Sequence, residues 1–167
     1  MNDINRREFL ETTLAMVPAL SLSPTDEPNG KVIKFSARVL TTDTPNKNNR
    51  IYSKEVIQKA IKDFEKLTKN RSFMGQLGMT YDAKVNFSMV SHIVTDLKLE
   101  NNELLADIEV LSTPCGKKLQ EMLKNDGSVD LRTQGIGIPK YNEEDGTTTV
   151  EDYKLIAINA VEAGTGA

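Results

Sequence analysis

The sequence predicts an α+β domain, built on an antiparallel sheet or a small β-barrel flanked by helices. Three observations carry that class. Candidate elements follow the order β, α, β-β, α, β-β, so strands are joined by hairpins rather than by crossover helices. Two segments place apolar residues at helical spacing, whereas most of the others alternate at strand spacing. A dinucleotide fold would need repeated βαβ units and a glycine fingerprint, and the chain has neither.

Length and composition fit one domain. The 167 residues allow a real core but not two domains of ordinary size. Apolar residues make up 38% and charged residues 27%, the balance of a globular chain. With no Trp, the core must rest on Val, Ile, Leu and Met. A net charge of −3 argues against a nucleic-acid surface, which needs a basic excess. Cys115 and His92 are the only residues of their kinds, so an internal disulfide is impossible and a Cys/His zinc site is not expected. No cofactor and no metal are expected. No apolar run is long enough to span a membrane, so no membrane partner is expected either.

Residues 1–30 read as an N-terminal amphipathic segment and linker. Phe9, Leu10, Thr13, Leu14 and Val17 fall on one face of a helix. The twin arginine Arg6-Arg7, followed by Phe9-Leu10, also resembles a twin-arginine export signal, although Glu8, Glu11 and Pro18 weaken it. SPTDEPNG (residues 23–30) is the linker, because two prolines, Asn and Gly oppose regular structure.

Residues 31–167 hold the domain. KVIKFSARVL (residues 31–40) is a strand, and TTDTPNKNNR (residues 41–50) a polar loop. Ser53 is placed to cap a helix whose apolar stripe is Val56, Ile57, Ala60, Ile61, Phe64 and Leu67. RSFMGQLGMTYDAKVNF (residues 71–87) is a Met- and Gly-rich link. MVSHIVTDLKL and ELLADIEVL are strands joined by a hairpin at Glu100-Asn101-Asn102. Thr113 caps a second helix with Pro114 at its first position, and Gly127 ends it. SVDLRTQGIGIP, the acidic turn NEEDG and TTTVEDYKLIAINAV form a final strand pair.

Four of these stretches, in this order, resemble the prohead protease family of tailed phages, which shares its fold with the herpesvirus assembly protease. NKNNRIYSKEVIQKAI (residues 46–61) is similar to the family's Asn-x-Asn-x-Arg-x-Tyr-Pro loop and the helix after it. Residues 85–123 resemble its Ser-His strand, the next hairpin and its Thr-Pro-x-Gly helix start. NDGSVDLRTQGIGIP (residues 125–139), with the strand ending LIAINAVEAGTGA, resembles the nucleophile turn. The resemblance implies a serine protease that trims capsid and scaffold proteins inside the prohead. Such chemistry requires an activated serine, a histidine base and oxyanion donors.

The chain departs from the family at both key positions. Where the family reads Gly-Glu-Leu-Asp-His-Pro, this chain reads Gly75-Gln76-Leu77-Gly78-Met79-Thr80, so the base position is Met79. A thioether does not take up a proton near neutral pH. Where the family reads Gly-Ile-Ser-Ser-Arg-Gly, this chain reads Asp130-Leu131-Arg132-Thr133-Gln134-Gly135, which puts Arg132 at the nucleophile position. A guanidinium is permanently protonated and is no nucleophile. Thr133, one residue along a strand, should face the other side of the sheet. His92 matches a family position, the site of a third triad member. From the residues alone it reads as a half-buried strand histidine.

No catalytic residue is therefore expected, and Arg132, Thr133 and Gln134 are the groove residues expected to contact a bound chain. The function that the resemblance and these departures together imply is a non-catalytic virion or prohead protein with capsid or scaffold chains as partners, and with self-association. Two alternatives stand beside it: an active maturation peptidase with a rearranged site, and an exported binding protein.

Overall fold

The computed structural model describes residues 8–16, 23–25, 32–68, 73–125 and 127–163. Among them the strands are β1 (Glu8–Met16), β2 (Ser23–Thr25), β3 (Val32–Thr41), β4 (Arg50–Tyr52), β5 (Met74–Gln76), β6 (Val90–Glu100), β7 (Glu103–Val110), β8 (Val129–Tyr141) and β9 (Thr148–Glu162). The helices are α1 (Lys54–Thr68) and α2 (Pro114–Lys124). One sheet has the order β1-β8-β9-β4, with β4 parallel to β9 and the other pairs antiparallel. The second has the order β2-β3-β7-β6-β5, antiparallel throughout.

Local rules account for most of these elements. Asn101 and Asn102 both take positive φ, the conformation that a two-residue hairpin between twisted strands demands, and so β6 turns directly into β7. Along β7, Leu104, Ala106, Ile108 and Val110 face inward and alternate with more exposed residues. The Ser53 hydroxyl accepts the Val56 N–H at 3.3 Å, and the Thr113 hydroxyl accepts that of Gly116 at 3.0 Å. Both caps satisfy amides that have no partner within the helix. Helix α1 buries Ile57, Ala60 and Phe64, and α2 buries Leu119 and Leu123. Their apolar stripes join one core with Val39, Leu40, Leu131 and Ile158.

Three expectations need correction. The segment expected to be an amphipathic helix holds β1, paired antiparallel with β8 from Glu8↔Gly137 to Met16↔Asp130. A short apolar run fits either period, and the unpaired edge of β8 offers backbone groups that need partners. Within the expected linker, Ser23–Thr25 forms β2 and pairs with residues 32–34. The link at residues 71–87 contains β5, which pairs with β6. Arg6 and Arg7, on which the export reading rests, lie outside the described residues.

The two sheets meet where β5 ends. Leu77 bridges Ala160 in parallel, and the Gly78 N–H donates to the Ala160 carbonyl at 2.8 Å. This seam carries the loop after β5 against β8 and β9, which builds the site described next.

Candidate functional site

Strand alternation divides β8 into two faces. Leu131 and Thr133 point to one side, and Asp130, Arg132 and Gln134 to the other. Residues directly opposite in an antiparallel pair share a face, so Arg132 stands beside Asn159 and Asp130 beside Val161. Over this face the loop after β5 leaves a cleft of about 430 Å³, lined by Leu77, Gly78, Met79, Met122, Arg132, Val161 and Glu162. The structure therefore brings Met79 and Arg132, which the resemblance aligns with the family's base and nucleophile, to one cleft.

Beneath them lies a buried amide cluster. Gln76, Gln134 and Asn159 are fully buried. The Asn159 amide donates to Gln134 Oε1 at 2.7 Å and to Met79 Sδ at 3.3 Å, while its carbonyl oxygen accepts the Gln76 N–H at 3.2 Å. Gln134 donates to the Asp82 carbonyl at 2.6 Å. Gln76 donates to the Thr80 hydroxyl at 3.1 Å and accepts the Asn86 N–H at 2.8 Å. Neutral amides that satisfy one another avoid the desolvation cost that buried charges would incur. Here they tie the loop from Thr80 to Asn86 onto β8 and β9.

His92 lies off the cleft. It is fully buried, not half-buried as expected, because the seam closes over its strand. Its Nε2 is 2.8 Å from the Ile158 carbonyl oxygen, and its Nδ1 is 2.8 Å from the Ser91 hydroxyl. A carbonyl only accepts, so Nε2 carries the proton and Nδ1 accepts from Ser91. Burial pushes the pKa from 6.5 down to about 4, with the bond to Ile158 pulling the other way. Gly75 makes room for the ring. A Cβ on it would stand 2.0 Å from His92 Nε2 and 2.3 Å from the Ile158 oxygen. His92 thus joins β6 to β9 across the seam.

The other expected groups are placed as follows. Thr133 is fully buried beside the Tyr153 hydroxyl, whose pKa burial raises, and Tyr153 packs edge-on against Tyr52 at 5.1 Å. It does not line the cleft. Gln134 lies in the amide cluster rather than on a contact surface, so of the three expected groove residues Arg132 alone lines the cleft. The Cys115 thiol is directed at the Ser88 carbonyl at 3.7 Å, and no cluster of metal-ligating side chains occurs among the described residues. Sequence reasoning missed Asn159, Gln76 and Met122. For Asn159 a signal exists: it is the one polar side chain in LIAINAV, which marks a buried polar group that needs partners.

Comparison with known proteins agrees with this fold. A family model described as prohead core protein serine protease matches residues 26–166. No curated protein matches the chain. The solved structure of the bacteriophage T4 capsid assembly protease, gp21, is 21% identical, with a TM-score of 0.81 over 94% of this chain and 99% of that one. At that identity the likeness speaks for the fold.

Proposed function

The chain belongs to the prohead core protein serine protease family, and from that premise we propose that it is a non-catalytic prohead or virion protein that holds capsid or scaffold chains in the cleft. Association with such chains comes with the family. The loss of catalysis rests on one observation: the described residues lining the cleft include no hydroxyl, thiol or imidazole. Met79 stands at the base position and Arg132 at the nucleophile position, and the sole histidine is engaged at the seam. Triad members act as a unit, so losing both groups returns the rate to near background. What persists is a cleft with apolar walls at Leu77, Met79, Met122 and Val161 and with Arg132 and Glu162 as its charged groups. Thioethers adapt to varied side chains, which suits a cleft that grips rather than cuts.

Mass spectrometry of purified proheads and mature particles, counting this chain against the major capsid protein, tests the reading. A fixed ratio in the particles is expected. Absence from both would refute it.

A further inference from the structure

We propose that the tip of the β8–β9 hairpin, Tyr141 with Glu143 and Glu144, seats in a groove between α1 and β9 of a second copy of this chain, so that two copies exchange tips in a two-fold dimer. This surface is separate from the cleft, and the inference stands whatever the cleft holds.

The groove measures about 360 Å³ and has Phe64, Leu67 and Leu155 among its apolar lining. Leu67 is 50% exposed there, a large aliphatic side chain left in water. The charges around it are mostly paired. Lys59 bridges Asp152 at 3.2 Å, and Lys66 bridges Asp63 at 3.3 Å. The third lysine of the groove, Lys154, forms no ion pair among the described residues. An apolar lining with one cation in excess suits a ring that carries a carboxylate beside it.

The hairpin tip has that chemistry. Tyr141, the last residue of β8, is 65% exposed, and the turn after it exposes Glu143, Glu144 and Asp145. The turn is set in advance. Asn142 Oδ1 accepts the Glu144 N–H at 3.0 Å, and the Asn142 carbonyl accepts that of Gly146 at 3.0 Å, where φ is +70°. Asp145 accepts the Thr147 N–H at 2.9 Å and its hydroxyl at 2.7 Å. Asp145 is thus engaged within the turn, and Glu143 and Glu144 are the carboxylates that can meet a lysine. A tip held this way loses little freedom on binding, and an aromatic anchor supplies much of the energy.

The occupant is a second copy because one strand carries both halves. Thr148, opposite Tyr141, opens β9, and Asp152 to Leu155 line the groove farther along it. At the rise of an extended strand, the two lie roughly 13–23 Å apart. Tyr141 does not line the groove of its own chain. A two-fold axis perpendicular to β9, midway between tip and groove, brings each tip to the partner's groove. The contact is then made twice, and the assembly closes as a dimer instead of growing into a filament.

Sedimentation equilibrium of the purified full chain tests this, with circular dichroism to verify that each variant is folded. Wild type is expected to dimerise reversibly below about 100 μM, and Tyr141→Ser to raise the dimer Kd about tenfold or more. Phe87→Ser, at an exposed aromatic outside the hairpin, should leave the Kd unchanged. Lys154→Glu and the double variant E143K/E144K should each dimerise poorly, since each sets like charges together. An equimolar mixture of those two should dimerise as wild type does, because both contacts are then complementary. A wild-type chain that stays monomeric overturns the inference. So does a dimer indifferent to Tyr141→Ser, or a mixture in which the two charge variants fail to pair.

Discussion

Acidification should weaken this fold through a single residue. His92 is buried, neutral and bonded on both ring nitrogens, with its pKa pushed from 6.5 down to about 4. Between those two values the unfolded chain binds a proton that the folded chain refuses. Stability from this group is therefore complete above pH 6.5 and falls as pH drops toward 4. One pKa unit corresponds to about 1.4 kcal/mol, so the loss reaches about 2 kcal/mol at pH 5 and about 3 kcal/mol at pH 4. The chain has no second histidine, so the interval from pH 7 to 5 is the one to probe, with His92→Gln as the control. Urea unfolding across it should show a falling midpoint with an unchanged slope, and His92→Gln should be less stable at pH 7 yet nearly flat with pH. A flat wild-type profile, or a slope that survives in His92→Gln, would refute the assignment of a neutral, buried seam histidine.

Other substitutions probe the same architecture. Gly75→Ala places a Cβ 2.0 Å from His92 Nε2 and against the Ile158 oxygen, so it should cost about 3 kcal/mol or prevent folding, read as a fall in Tm. Gln76→Ala leaves the Asn86 amide without its acceptor and should cost about 1–3 kcal/mol, with faster hydrogen exchange confined to residues 77–89. Leu119→Ala, at a fully buried position of α2, should cost about 2–5 kcal/mol in denaturant unfolding without changing particle incorporation by the folded fraction.

The sequence is legible where the physics is local. Ser53 and Thr113 announce their helices because a cap needs only the next three residues, and Asn101-Asn102 announces its hairpin because two adjacent positive φ values suit few residues. The resemblance located Met79 and Arg132, and folding brings both to one cleft. What stayed hidden depends on partners far along the chain. The role of His92 requires Ile158, 66 positions away, and that of Gln76 requires Asn159, 83 positions away. β1 was misread because EFLETTLAM satisfies a helical stripe as well as a strand, and only the neighbouring edge of β8 decides between them. β5, three residues with a glycine at its centre, carries no readable period.

The absence of proteolysis is the central claim, and incubation of the purified full chain with unprocessed proheads of its own phage tests it most directly. Fragments would be mapped by mass spectrometry, with a serine-directed fluorophosphonate added in a parallel sample. The account predicts intact scaffold and capsid chains, no self-cleavage and no covalent adduct. Cleavage that the fluorophosphonate blocks, with an adduct on this chain, would contradict it.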